Sequence, residues 1–136
     1  MDKNFEDKYF RKFKFTDKQI RKYFNNATKD FKIAKEDQHL EVKFTYSYSS
    51  LIKSAMAIIA KIGFKVRSVP GHHVKLIEKL SDLLEDETIF EMGNAMRMKR
   101  NEDFYGEGIY VSEKEATEFL LFVEDVIHTV QKKLNS

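Results

Sequence analysis

The sequence has no cysteine and no tryptophan, and only one proline and five glycines in 136 residues. Without cysteine there is no disulfide, no thiolate nucleophile and no thiolate metal site. With Pro70 and glycines 63, 71, 93, 106 and 108 as the only helix breakers, long helices are favoured. An excess of one charge is also missing. The 24 basic and 22 acidic residues leave a formal charge of +2, so any nucleic-acid footprint is expected to be local. The longest apolar run, residues 55–60, is far short of the ~20 residues that cross a bilayer. The first fifteen residues are charged throughout and lack the apolar stretch of a signal peptide. No membrane association and a cytoplasmic location are therefore expected. The phosphate-loop, dinucleotide, nucleophile-elbow and zinc-protease motifs are all absent, so those reaction classes have no support.

The chain does contain a globular mixture, 42% hydrophobic and 34% charged, with twelve phenylalanines and six tyrosines. At this length folding removes roughly 70% of the unfolded chain's surface from water, so a core built on phenyl rings is feasible. No repeat or linker divides the sequence, and residues 1–136 read as a single helical domain. Residues 1–15 form a tail or short extra helix whose Phe5, Tyr9, Phe10 and Phe13 pack somewhere.

Five helices follow from periodicity and caps. Thr16 and Gln19 fit a capping box, and Ile20, Tyr23, Phe24, Ala27 and Phe31 then recur at three- and four-residue steps. A second helix is expected over about 37–62, stopped by Gly63. Its first part, Leu40, Val42, Phe44, Tyr46 and Tyr48, alternates as a strand would. The continuation through Leu51, Ile52, Ala55, Met56, Ile59 and Ile62 is helical. A third helix starts near Pro70 and turns Val74, Ile77, Leu80, Leu83 and Leu84 inward. A fourth covers about 87–104. The fifth opens on a second capping box, Ser112 and Glu115, and carries an unbroken apolar stripe from Ala116 to Leu134. The fold expected is all-α, an up-and-down bundle of about five helices.

Three stretches can carry chemistry. On a helix Arg97, Arg100, Asn101 and Phe104 share a face, and two guanidiniums with an amide at a helix end can grip phosphate oxygens. The alternative is a solvated face paired with Glu102, Asp103 or the acidic residues 85–87. Adjacent His72 and His73 point roughly 100° apart on a helix and make a poor chelating pair. One is expected to cap or pack and the other to face solvent, while His39 and His128 are isolated. The aromatics Phe44, Tyr46 and Tyr48 can stack bases, but core or dimer packing is the commoner use of such residues. No metal and no cofactor is expected.

Taken in order, several features resemble the HEPN (higher eukaryotes and prokaryotes nucleotide-binding) domain family. They are a long second helix ending at Gly63 with basic Lys65 or Arg67 after it, a Gly71-His72-His73 opening, a helix ending in Arg97, Arg100, Asn101 and then Tyr105, and a last helix opened by Ser112. The resemblance covers about 16–134 and implies a helical bundle that commonly dimerises. Many members are metal-independent endoribonucleases, often toxins paired with a small nucleotidyltransferase antitoxin. Their signature is Arg, then four to six residues, then His, with a polar residue directly after the Arg. Mapped here, the Arg is Arg100, the polar residue is Asn101, and Tyr105 stands where the histidine would be. A phenol with a pKa near ~10 is a poor base where an imidazole near ~6.5 is suited. The position of the tyrosine that some members adenylylate is Glu107, so that modification does not carry over.

Three functions follow as expectations. The first is a non-catalytic HEPN-like protein that binds nucleotide or RNA through Arg97, Arg100, Asn101 and Tyr105, or pairs with a nucleotidyltransferase in a toxin–antitoxin-like system. The second is a metal-independent endoribonuclease toxin with Arg100 on the phosphate and Tyr105 as proton donor. The third is a structural dimer or partner-binding bundle whose arginines are only ion-paired. A homodimer is expected under all three.

Overall fold

A computed structural model describes residues 4–102 and 108–136. The sequence pattern becomes an all-α bundle of five helices among those residues, with one two-stranded sheet at its edge. Helix α1, Asp17–Glu36, opens on the expected capping box: Gln19 N–H donates to Thr16 Oγ1 (3.1 Å) and Thr16 N–H to Gln19 Oε1 (2.9 Å). Lys43 Nζ donates to the carbonyls of Ala34 (2.7 Å) and Lys35 (3.1 Å), satisfying acceptors that the last turn of α1 leaves open.

Helix α2, Leu40–Ile62, is the centre of the bundle and packs against all four other helices. It begins three residues later than its periodicity suggests, because Asp37 ends α1 and residues 37–39 make the turn. From Ser47 to Ala60 it is buried on most of its faces. The strand-like alternation at its start is overruled: Phe44 and Tyr48 both lie on the inner face of the helix, four residues apart. Burying Phe44, Leu51 and Ile59 contributes about 1.5–3 kcal/mol each. Small residues let α1 come close, and Ser50 Oγ donates to the Ala27 carbonyl across the contact (2.7 Å). The buried Asp30 carboxylate accepts from Ser49 Oγ (2.7 Å) and Lys53 Nζ (2.6 Å).

Gly63 ends α2 in the left-handed conformation, φ 105°, and reverses the chain into strand β2, Phe64–Val66. Its antiparallel partner is β1, Phe10–Lys12, with Phe10 opposite Val66. The N-terminal segment thus supplies a strand where a tail or short helix was expected. Its aromatics pack as anticipated: Phe5 stacks on Phe64 with ring centres 3.9 Å apart.

Helix α3, His72–Leu84, starts two residues after Pro70, because the left-handed Gly71 (φ 83°) occupies its N-cap. Helix α4, Glu87–Asn101, ends before Phe104, which with Tyr105 lies outside the described residues. Gly93 lets α4 lie against α3 and α2: a Cβ there would stand 2.7 Å from Ile77 Cγ2 and 3.3 Å from Leu51 Cδ2. Helix α5, Glu113–Leu134, opens on the Ser112–Glu115 capping box and buries Ala116, Phe119, Val123, Val126, Ile127 and Val130. Among the described residues no helix is long and apolar enough to cross a membrane.

Candidate functional site

The start of α3 and the end of α4 meet one helical turn beyond the Gly93 contact. The approach to α3 is shaped by residues 68–71. His72 N–H (3.1 Å) and its ring Nδ1 (2.9 Å) both reach the Val69 carbonyl, so His72 closes the turn. The first turn of α3 has no side-chain cap and no acidic residue. Among the described residues the N–H groups of His73 and Val74 have no protein acceptor. Such a turn attracts anions, through the open N–H groups and the positive end of the helix dipole.

Arg97 and Asn101 of α4 face that turn across a cleft of about 440 Å³ shared with Pro70, Gly71 and both histidines. Arg97 Nε donates to Asn94 Oδ1 (3.0 Å), which holds the guanidinium by one edge. Among the described residues neither Arg97 nor Arg100 forms an ion pair. The pairing weighed for these arginines is therefore not formed with the acids of residues 85–87 or with Glu102, Asp103 lies outside the described residues, and Arg100 is exposed. A guanidinium fork that no described carboxylate engages is available for a phosphate.

The arginines do not act on one cleft. Arg100 opens into a neighbouring cleft of about 630 Å³ with Lys29, Asp30, Tyr46, Tyr48 and Lys53, where Asp30 is already engaged by Lys53. His73 lines both clefts and stands between them. Its Nδ1 is 3.0 Å from the Tyr48 hydroxyl, a phenol that is 2% exposed. A buried phenol donates where an acceptor is in reach. That assigns the imidazole proton to Nε2, making neutral His73 an N–H donor on its far side. Burial, then the charges of His72, Arg100 and Arg97, lower the His73 pKa to about 4. Burial raises the Tyr48 pKa to about 12, against the pull of the two arginines. At neutral pH both groups are uncharged, one donating to the other.

Of the expected site residues, Arg97 and Asn101 come together, Arg100 serves the adjoining cleft, and Tyr105 lies outside the described residues. Phe44 packs against Phe119 in the core and Tyr46 lines the Arg100 cleft. His39 bonds Asp37 (3.0 Å), and His128 is exposed. The Tyr48–His73 pair was not expected. Its members are 25 positions apart, and no local spacing marks them as partners. Compared with known proteins, the chain matches no family model, no curated protein and no solved structure.

Proposed function

We propose that this bundle is a HEPN-like protein that binds the phosphate of a nucleotide or of single-stranded RNA between the start of α3 and the end of α4, without cleaving it. One observation carries the reading: Arg97 and Asn101, free of carboxylates among the described residues, face an uncapped helix start whose His73 and Val74 N–H groups are open. Arg100 and Lys29 extend the positive surface on the far side of His73, where Lys53 is paired with Asp30. The small net charge agrees with such a local footprint. Loss of affinity for a short oligoribonucleotide in the Arg97→Ala/Arg100→Ala double variant tests it.

The endoribonuclease reading keeps one specific support: a histidine does stand among the arginines, His73 from α3 in place of one near position 105. Its state argues against strong acid–base catalysis. The Nδ1 lone pair is taken by Tyr48, and a pKa of about 4 leaves little imidazolium to protonate a leaving oxygen near pH 7. RNA cleavage that disappears in His73→Ala would move the conclusion to this second reading.

The resemblance extends the proposal to partners, a second copy of the chain or a small nucleotidyltransferase. Light scattering on the purified chain tests the first, and co-purification with a co-expressed nucleotidyltransferase tests the second.

A further inference from the structure

We infer that the apolar cavity beside the cleft holds the six-membered, amino-bearing ring of the base whose phosphate sits at Arg97 and Asn101, which rests on the phosphate reading above. The cavity measures about 170 Å³ and lies among β2, α1, α2, α3 and the segment leading into α1, with Phe15, Tyr23, Met56, Phe64 and Leu76 as its main apolar walls and Lys65, Ser68 and the two histidines as its polar lining. A cavity of about 150 Å³ lined by aliphatic and aromatic side chains takes one benzene ring. This one therefore matches a pyrimidine or the six-membered half of a purine.

The cavity adjoins the phosphate cleft. Ser68, His72 and His73 line both spaces. A ligand that fills the two needs a flat apolar ring at one end, an anion at the other and a short polar connection between them. A nucleotide has that form, and base stacking on aromatic walls is the usual way its ring is held.

His72 sits at the boundary and gives the cavity a preference. Its Nδ1 contacts the Val69 carbonyl at 2.9 Å, and a carbonyl only accepts. The neutral ring therefore carries its proton on Nδ1 and a lone pair on Nε2. Turned toward the base, this lone pair complements the exocyclic amine of adenine or cytosine and opposes the carbonyl that hypoxanthine or uracil has there, and the comparison with inosine below tests that orientation. A free mononucleotide and an unstacked nucleotide of single-stranded RNA offer the same chemistry.

The test titrates the full chain with adenosine 5′-monophosphate, inosine 5′-monophosphate, ribose 5-phosphate, adenosine and a tetra-adenylate. The Met56 methyl resonance, assigned through Met56→Leu, reports on the cavity. Adenosine 5′-monophosphate is expected to bind roughly tenfold or more tightly than ribose 5-phosphate. It should also shift the Met56 methyl by its ring current and bind more tightly than inosine 5′-monophosphate. Tetra-adenylate moving Met56 at lower concentration than the monophosphate identifies RNA as the source, and the reverse order identifies a free nucleotide. Equal affinity for adenosine 5′-monophosphate and ribose 5-phosphate with Met56 unmoved overturns the cavity assignment and leaves the phosphate reading standing. Adenosine moving Met56 and binding as tightly as adenosine 5′-monophosphate keeps the cavity and removes the phosphate reading. Equal affinity for the adenosine and inosine monophosphates overturns the role of His72, and no response to any ligand overturns both readings.

Discussion

The Tyr48 hydroxyl lies 3.0 Å from His73 Nδ1, joining the buried middle of α2 to the first turn of α3. The bond fixes the tautomer of an imidazole that borders both arginine clefts, so a core residue sets what the site presents. A histidine among arginines stays neutral because partial burial and the neighbouring positive charges both disfavour its protonation.

Tyr48→Phe removes one hydrogen bond and changes little volume. A stability loss of about 0.5–1.5 kcal/mol is expected in urea unfolding. The sharper readout is the imidazole ¹⁵N spectrum of His73, which should change from a single Nε2–H tautomer to a mixture. An unchanged spectrum would remove Tyr48 from the account of the site.

Stability should depend on pH through His73. Its folded pKa of about 4 lies below the unfolded value near ~6.5, so the unfolded chain binds more protons between the two. Stability from this group is therefore full above about pH 6.5 and falls as pH drops toward 4. Urea unfolding of the wild type and His73→Asn at pH 7 and pH 5 isolates the effect. The wild type should lose more stability than the variant on acidification, and equal losses would contradict the depressed pKa.

Gly93→Ala should cost about 1–3 kcal/mol despite the better helix propensity of alanine, because the new methyl meets Ile77 at 2.7 Å. The same push displaces α4 from α3 and moves Arg97, one turn on, away from the α3 start. A lower melting temperature together with weaker nucleotide binding is expected. Unchanged melting would mean that α3 and α4 are not packed this closely.

Ser112→Ala should lower stability by about 1 kcal/mol through loss of its capping bond from Glu115 N–H (3.1 Å). Ligand affinity should be unaffected, since Ser112 lines neither arginine cleft. The variant thus separates global stability from the site.

Much of the bundle was legible because its signals are local. Thr16 with Gln19, Ser112 with Glu115, and Gly63 are cap chemistry contained within a few residues, and all three perform as expected. The sheet was not legible. Phe10–Lys12 and Phe64–Val66 are three-residue strands far apart in sequence, too short to show alternation. The start of α3 moved because Pro70 and the left-handed Gly71 make a turn before the helix instead of its first turn. At the site, the four-residue step from Arg97 to Asn101 could be read from helical geometry. That Arg100 would serve a different cleft, and that Tyr48 would hold His73, depends on how closely α3 and α4 approach α2. Gly93 hints at a close contact without naming the neighbour.

Affinity of wild type and Arg97→Ala/Arg100→Ala for a fluorescein-labelled oligoribonucleotide, measured by anisotropy at two salt concentrations, tests the central claim most directly. The account predicts binding by the wild type that weakens with salt, and a loss of roughly tenfold or more in the double variant with its fold intact. No binding by the wild type, or equal affinity in the two proteins, would contradict it.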